Sequence, residues 1–115
     1  MALLIASREL DGVTILTLDG RIVLGEESSA LRQKVKDDLA AGKKKIILNV
    51  DKVGYIDSAG VGMLVAVNHT AKSRGASLAL CNLGSHFEGM LQITKLLTVF
   101  ETYKTEADAL RGLSK

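Results

Sequence analysis

The sequence is poor in the residues that mark several specialised classes of protein. It has no proline and no tryptophan, only two phenylalanines, two tyrosines and one cysteine among 115 residues. A single cysteine excludes a disulfide scaffold, and Cys81, inside an apolar stretch, is expected to be a small buried side chain. Few aromatic rings are available for stacking on bases, so direct binding of nucleic acid is not expected.

Long hydrophobic runs and a strong excess of one charge are also missing. The longest nearly apolar run, Ala59–Val67, is about half of a membrane span, and Met1–Ala6 lacks the length and basic lead-in of a signal peptide. The formal net charge is +2, and the basic run Lys43–Lys45 is expected to be a solvated turn. A hydrophobic content of 47% is enough for a core. We therefore expect a cytoplasmic protein with no membrane segment.

The start of the chain has the pattern of a β-hairpin. Apolar-rich runs at Leu3–Leu10 and Val13–Leu18 are joined by Asp11-Gly12. Asp-Gly between two such runs is a strong signal for a tight turn, because both turn residues can adopt positive φ. Arg21–Leu24 either extends the sheet or forms a loop. The sequence therefore predicts two antiparallel strands at the start.

After residue 25 the hydrophobic period alternates between that of helices and that of buried strands. The predicted helices are Glu26–Ala41, Ser58–Arg74, Phe87–Leu97 and Thr105–Leu113, the last capped by Thr105. The predicted strands are Ile46–Val50, Ser77–Asn82 and Val99–Tyr103. Such alternation builds parallel strands with crossover helices. We therefore expect one α/β domain over residues 1–115, with about four helices and a mixed, mostly parallel sheet entered through the N-terminal antiparallel hairpin.

The segment YIDSAGVG, Tyr55–Gly62, lies between a predicted strand and a predicted helix. Its simplest interpretation is that Ser58 caps the helix, since a serine oxygen can accept a hydrogen bond from an unpaired N–H at a helix start. A second interpretation is functional. Strand ends that precede helix N-termini often present functional groups in α/β sheets, and the free N–H groups there favour an anion. Both interpretations stay open at this point.

The helix after this segment is apolar around nearly its whole circumference. Its first turns contain Ala59, Val61, Met63, Leu64, Val65, Ala66 and Val67, with Gly60 and Gly62 between them. A helix apolar on all sides is fully buried or partly covered by a partner, and each glycine costs roughly 1 kcal/mol relative to alanine. Both features are explained if the backbone of a partner approaches Ser58. We therefore predict a protein-docking surface around this serine.

The sequence fits a catalytic, nucleotide-binding or metal-binding function less well. A serine nucleophile would need a Gly-x-Ser-x-Gly elbow, but Ile56 stands at the first glycine position, and both His69 and His86 precede the region where that fold places its histidine. The glycines of 84–89 lack the Gly-Lys-Ser/Thr ending of a phosphate loop. The histidines and Cys81 are too few and too scattered for a metal site. We expect no enzyme activity, no cofactor, no metal, and no docking role for either histidine.

Several segments resemble the STAS domain family, specifically the bacterial anti-sigma factor antagonists. They are Gly20–Val23, Ile46–Asp51, Tyr55–Gly62, Leu91–Tyr103 and Glu106–Leu110. Together they span essentially the whole chain, and the Asp-Ser-x-Gly-x-Gly core is fairly specific in this context. The resemblance implies a single STAS domain over residues 1–115.

The resemblance also implies a regulatory function. Proteins of this family bind an anti-sigma factor, often itself a serine kinase that holds ATP, and so free a sigma factor for transcription. The kinase phosphorylates the serine that matches Ser58, which breaks the complex, and a serine phosphatase restores it. Ser58 is thus the predicted phosphorylation site. The predicted partner-binding residues are Asp57, Ser58, Ala59, Gly60, Val61, Gly62 and Met63.

One position departs from the family pattern. The family's Gly-x-Leu-Asp segment usually supplies a carboxylate near the phosphoacceptor, and Val23 occupies that position here. Asp19 and Glu26 are the two candidates to replace it. The alternative function is therefore a STAS interaction or scaffold module that is not phosphorylated, or that serves a signalling pathway without a sigma factor.

Overall fold

The computed structural model describes residues 3–113, apart from the side chain of Glu27, and contains nine elements of regular structure. The strands are β1 (Leu4–Leu10), β2 (Val13–Ile22), β3 (Lys45–Ile56), β4 (Ser77–Cys81) and β5 (Glu101–Tyr103). The helices are α1 (Glu26–Ala40), α2 (Ser58–Ser73), α3 (Ser85–Ile93) and α4 (Glu106–Leu113). Predictions that concern residues 1, 2, 114 and 115 lie outside the described residues.

The strands form one mixed sheet in the order β1-β2-β3-β4-β5. β1 pairs antiparallel with β2, and every other neighbouring pair is parallel. Parallel neighbours need crossover connections, which α1, α2 and α3 provide. The predicted α/β fold, with its antiparallel N-terminal hairpin and four helices, is confirmed.

The hairpin turn forms where the sequence predicts it. Asp11 and Gly12 have φ angles of 51° and 78°, and both central residues of a type I′ turn need positive φ. β2 then continues to Ile22. The first half of Arg21–Leu24 therefore extends the sheet, and the second half is a loop.

Two layers of unequal size cover the sheet, because side chains alternate between its faces along each strand. α1, α2 and α3 pack on one face, with a core that includes Leu16, Leu18, Ile46, Leu48, Leu64, Leu80 and Phe87. α4 covers part of the other face, where its residues Ala109 and Leu113 pack with Val13, Ile15, Ile47, Ala79 and Cys81. Cys81 is buried as predicted, and burial is the main reason why the pKa of its thiol is raised to about 12.

β3 is longer than predicted, and the difference matters for the site. The strand covers Lys45–Ile56, whereas the hydrophobic run predicted only Ile46–Val50. Its second half pairs with β2 from Asp19 to Ile22, with register shifts before Asp19 and between Gly20 and Arg21. These pairings make polar residues part of the strand, so that β3 leads directly to the start of α2.

The helix ends agree with the sequence at α4 and differ at α3. The Asp108 N–H donates to the Thr105 hydroxyl at 3.1 Å, which confirms Thr105 as the cap of α4. α3 covers Ser85–Ile93 where Phe87–Leu97 was predicted, and Lys95, with φ of 60°, lies in the turn that ends it. Within residues 3–113, no helix combines the length and apolar content needed to cross a bilayer.

Candidate functional site

The junction of β3 and α2 contains the predicted site. Asp57 has extended backbone angles, φ −101° and ψ 178°, and the helix begins at Ser58. The Asp57 carboxylate accepts a hydrogen bond from the Gly60 N–H at 2.8 Å. Asp57 is therefore the N-cap of α2. The interpretation of Ser58 as the cap is wrong, since Ser58 is the first helical residue.

The Asp57 side chain also fastens the β2–α1 loop to this junction. Its Oδ2 accepts from the Leu24 N–H at 3.0 Å, and the Asp57 N–H donates to the Ile22 carbonyl at 3.2 Å. Burial disfavours the ionised carboxylate, but hydrogen bonds from several backbone N–H groups, led by those of Leu24 and Gly60, outweigh it and lower the pKa of Asp57. One carboxylate thus holds two segments together beside Ser58.

The Ser58 side chain is exposed, and its hydroxyl is not used by the fold. No hydrogen bond joins it to another group in residues 3–113. Asp57 already caps the helix, so the hydroxyl has no capping task. It lies at the positive end of the α2 dipole, where a negative charge is stabilised. The arrangement presents a reachable hydroxyl at a helix start that tolerates an anion.

The seven predicted partner-binding residues divide into an accessible and a buried set. Those with accessible surface are Asp57, Ser58, Ala59 and Gly62. Those buried inside the domain are Gly60, Val61 and Met63. A partner can contact the accessible set directly, whereas Gly60 and Val61 can act only by positioning it. Partner binding by this run stays a prediction.

The two glycines of α2 have different surroundings. A Cβ atom on Gly60 would lie 2.3 Å from the carbonyl oxygen of Ile22 and 2.9 Å from Cγ1 of Ile56. Gly60 therefore lets α2 pack against the ends of β2 and β3, a contact within the domain. A Cβ atom on Gly62 would meet nothing within 4 Å. Only Gly62 leaves the space of its missing side chain open to a partner.

An exposed stripe runs along α2 from the serine. It consists of Ser58, Gly62, Ala66 and His69, which helical periodicity places on one side. Beside it lies a groove of about 280 Å³, lined by Ser28, Ser29, Arg32, Gly62, Met63 and Ala66. The small side chains of the stripe allow another backbone to come close to this part of the helix.

An exposed aromatic pair that the sequence analysis did not identify lies at the end of β3. The rings of Tyr55 and His86 stack with their centroids 4.9 Å apart and their planes 16° apart. Nε2 of His86 lies 3.4 Å from the Ile56 carbonyl oxygen, which accepts its hydrogen bond. His86, for which the sequence predicts no docking role, therefore lies beside the end of β3 that leads to the predicted docking surface. No local pattern reveals this contact, because it joins the start of α3 to a distant strand.

Other features noted in the sequence lie elsewhere or form no cluster. At the opposite end of β3, Lys43 of the basic run pairs with Glu9 at 3.2 Å, and Lys44 donates to the Arg74 carbonyl at 2.8 Å. Two of the three lysines are thus held by groups of the domain. In the part of the chain that the structure describes, no group of three or more His, Cys, Asp or Glu side chains could hold a metal ion.

Comparison with protein families identifies the fold. Residues 5–109 match the family model of the STAS domain. The chain belongs to the STAS domain family. This STAS domain is a binding protein rather than an enzyme.

Known proteins resemble this STAS domain along nearly its full length. An anti-sigma-B factor antagonist from Listeria monocytogenes is 29% identical over 108 residues, which cover 90% of each chain. The crystal structure of a candidate anti-sigma factor antagonist from Thermotoga maritima has a TM-score of 0.89 and 26% identity, and the match covers 96% of this chain and 95% of that one. The phosphorylated form of the Bacillus cell fate determinant SpoIIAA has a TM-score of 0.71 and 19% identity, with coverage of 96% and 98%.

The structure also locates the acidic residues that could replace the carboxylate missing from this STAS domain at Val23. Asp19 lies on the sheet face opposite α2 and cannot take that role. Glu26 is exposed in the first turn of α1, directly after the loop that Asp57 holds. Glu26 is therefore the better placed of the two. Asp57 is next to Ser58 in the chain, but hydrogen bonds to backbone N–H groups occupy both of its oxygens.

Two substitutions of Asp57 should lower the stability of this STAS domain by different amounts. We expect Asp57→Ala to lower the free energy of unfolding by about 1–2 kcal/mol, because it removes the helix cap and the acceptor for the Leu24 N–H. Asp57→Asn keeps one acceptor for the Gly60 N–H, so its effect should be about half as large. Urea unfolding of both variants at neutral pH measures these losses.

The contribution of Asp57 to the free energy of unfolding should also depend on pH. Because its pKa is lowered in the fold, the contribution is complete above the ordinary carboxyl pKa of the unfolded chain and is lost as the pH falls through the lowered value. The difference in stability between the wild type and Asp57→Ala should therefore narrow in acid. A difference that stays unchanged down to strongly acid pH would mean that the ionised form is not what stabilises the junction.

Proposed function

We propose that this STAS domain is an anti-sigma factor antagonist, which binds an anti-sigma factor and so releases a sigma factor. The observation that carries the proposal is the exposed Ser58 hydroxyl, left without a structural task because Asp57 caps α2. The relative from Listeria monocytogenes carries this functional name. Sigma factors act on transcription inside the cell, and we therefore place the protein in the cytoplasm.

Exposed residues around Ser58 would contact the partner. We call this set the Ser58 surface, and it consists of Leu24, Tyr55, Ser58, Gly62 and Ala66. Leu24 is 77% exposed and Tyr55 is 44% exposed, and exposed large apolar side chains beside small ones are typical of protein interfaces. The Asp57 carboxylate fixes the loop that carries Leu24. The surface is therefore ordered before a partner arrives, which lowers the entropy loss on binding.

Gly62 supports the close approach of a partner. An exposed glycine within a helix costs about 1 kcal/mol relative to alanine. The surroundings of Gly62 would accept a side chain, so no internal contact requires a glycine there. The open space is explained if a group of the partner fills it in the complex.

Phosphorylation of Ser58 would end the complex. The kinase would be the anti-sigma factor itself, with its own bound ATP, and a serine phosphatase would restore the binding form. A phosphate adds nearly two negative charges at neutral pH, and the first turn of α2 suits that charge in the free domain. In the complex the same charge would be buried against the partner, near the ionised Asp57 carboxylate. The modification would thus weaken binding without unfolding the domain.

One observation favours a second function, an interaction scaffold that is not phosphorylated or serves a pathway without a sigma factor. Val23 supplies no carboxylate near Ser58, and Asp19 lies on the other face of the sheet. If Glu26 does not take over this role, the Ser58 surface would bind its partner without the phosphate switch.

A kinase assay with a matched variant tests the proposed switch. The wild type and Ser58→Ala are incubated with ATP and the anti-sigma factor kinase from the same genome, and the modified residue is identified by mass spectrometry. We expect phosphate on Ser58 of the wild type and none on the variant. Ser58→Ala should change the free energy of unfolding by less than about 0.5 kcal/mol, because Asp57 is the cap. It should also keep the affinity of the wild type for the anti-sigma factor.

A charged substitution at the same position completes this test. Ser58→Asp should be as stable as the wild type, since an acidic side chain suits the first turn of a helix. Its affinity for the anti-sigma factor should fall by about tenfold or more, a loss of ~1.4 kcal/mol, because the charge is buried in the complex. Equal affinities of Ser58→Ala and Ser58→Asp, together with an unmodified Ser58, would favour the scaffold. Failure of the wild type to bind any anti-sigma factor would overturn the proposed function.

A further inference from the structure

The outer edge of β1 pairs with no other strand of residues 3–113. β1 is one of the two outer strands of the sheet, and most of its side chains are exposed on both faces. Two of the large hydrophobic side chains that are exposed in residues 3–113 lie on it, Leu4 at 65% and Leu10 at 44%. We propose that β1 pairs antiparallel with β1 of a second copy of this chain, which joins two sheets into one.

The backbone of β1 has unused hydrogen-bonding groups along this edge. The two-residue turn between β1 and β2 makes Leu10 and Val13 a hydrogen-bonded pair. Alternation along the antiparallel ladder then directs the N–H and C=O groups of four residues toward β2, namely Leu4, Ala6, Arg8 and Leu10. The backbone groups directed outward are those of Ile5, Ser7 and Glu9. Three residues in regular alternation therefore offer donors and acceptors to another strand.

One register of self-pairing satisfies both the backbone and the side chains. With Ser7 on the twofold axis, Ser7 lies opposite Ser7 of the second copy, and Ile5 lies opposite Glu9. These are the positions whose backbone groups point outward, and they give about six hydrogen bonds across the interface. Leu4 then lies opposite Leu10 of the second copy, at the closer spacing of non-hydrogen-bonded pairs. The exposed leucines therefore cover each other at both ends of the ladder.

The charges on β1 do not oppose this pairing. Charged side chains commonly protect an edge strand from association. Here Glu9 accepts from the Thr14 hydroxyl at 2.7 Å and pairs with Lys43 at 3.2 Å, and Arg8 pairs with Glu106 at 2.7 Å. Each charge is therefore balanced by an ion pair within its own chain. In the dimer the two Arg8 side chains would lie diagonally across from each other, and because each is paired with Glu106, two unpaired positive charges would not meet.

Other registers fit less well. An axis at Glu9 would place two carboxylates opposite each other, which is unfavourable, and would shorten the ladder. An axis at Ile5 would leave Leu10 uncovered. An axis at Arg8 would also allow a ladder, but it would place the two Arg8 side chains directly opposite each other, which is unfavourable, and would leave Leu4 opposite the turn residue Gly12. An axis at Ala6 would leave Leu10 opposite a position beyond β1 and so uncovered. The self-complementary fit is therefore specific to the axis at Ser7.

The expected dimer is weak, because one pair of strands buries less surface than a stable dimer needs. It should form in a concentration-dependent way at high protein concentration. The inference does not rest on the proposed function, since β1 contributes no residue to the Ser58 surface. Its failure would leave that function unaffected.

Ser7→Pro tests the strand pairing with the whole chain. The Ser7 N–H points outward, so proline there removes a donor of the dimer without removing a bond between β1 and β2, and edge strands tolerate such a proline. Sedimentation equilibrium from micromolar to millimolar concentration should show a wild-type dimer, and dimerisation of Ser7→Pro should be weaker by about tenfold or more. Ser7→Ala keeps the N–H and should dimerise like the wild type. Thermal unfolding confirms that both variants fold.

A pair of charge substitutions tests the register. Leu4→Lys and Leu10→Glu should each weaken the dimer by about tenfold, because each places a charge opposite a leucine of the second copy. The double variant places lysine opposite glutamate at both ends and should recover most of the lost affinity. A wild type that stays monomeric at millimolar concentration, equal dimerisation of Ser7→Pro and Ser7→Ala, or a double variant weaker than both single variants would each overturn the proposal.

Discussion

Gly60→Ala is expected to lower the free energy of unfolding by about 3 kcal/mol or more, a large loss for one added methyl group. The new Cβ atom would lie 2.3 Å from the Ile22 carbonyl oxygen and 2.9 Å from Cγ1 of Ile56. A side chain could rotate away from such a contact, but the carbonyl belongs to the backbone of β2. Relief therefore requires that α2 shift away from the sheet, which opens the core beneath it.

Gly62→Ala is the matched control, because it makes the same chemical change two residues further along the helix. The added methyl group would meet no atom of another part of the domain within 4 Å, so it causes no clash. Alanine should therefore raise the free energy of unfolding by about 0.5–1 kcal/mol. Urea unfolding measures both variants. Helix propensity alone predicts a gain at both positions, so a Gly60→Ala variant as stable as the wild type would contradict the packing argument.

Gly62→Glu should lower the affinity for the anti-sigma factor by about 100-fold or more, a loss of roughly 2.7 kcal/mol. Gly62 is exposed and has open space around it, and it lies one turn from Ser58 on the Ser58 surface. A glutamate would fit the free domain, where it favours the helix over glycine. In the complex its charge would be buried against the partner. Isothermal titration calorimetry measures the loss.

Two control variants separate the effect of the position of the substitution from the effect of its charge. Ser73→Glu adds the same side chain at an exposed position in the last turn of α2, away from the Ser58 surface, and should keep wild-type affinity. Gly62→Ala adds size without charge and should fall between Gly62→Glu and the wild type. Equal affinities for Gly62→Glu and Ser73→Glu would show that the partner docks elsewhere on the domain. Unfolding curves of all three variants establish that the free domain is intact.

Local signals in the sequence determined the fold class and the place of the candidate site. Asp11-Gly12 between two apolar runs specified the hairpin, since its residues adopt positive φ more readily than most others. The alternation of helical and strand periods after residue 25 specified the parallel crossovers. The segment Tyr55–Gly62 marked the strand–helix junction. These signals depend on the conformational preferences of neighbouring residues, so they are visible without tertiary contacts.

The roles of individual residues at the junction depended on the tertiary structure. Asp57 and Ser58 are both good N-cap residues, and the choice between them follows from where β3 ends. Pairing with β2 keeps β3 extended to Ile56, and the Asp57 N–H then donates to the Ile22 carbonyl. The helix can begin only after that bond, which makes Asp57 the cap and leaves the Ser58 hydroxyl free.

The roles of the two glycines and of the aromatic pair were also decided by the tertiary structure. Gly60 and Gly62 have similar local sequence, but the Ile22 carbonyl lies over one and solvent lies over the other. The stack of Tyr55 on His86 joins β3 to α3, far apart in the chain. Local preference selects helix, strand or turn over a few residues. Tertiary packing then decides which side chains contact a neighbouring strand and which remain exposed to a partner. It does so because, once distant elements are packed together, each residue has only one position in the domain.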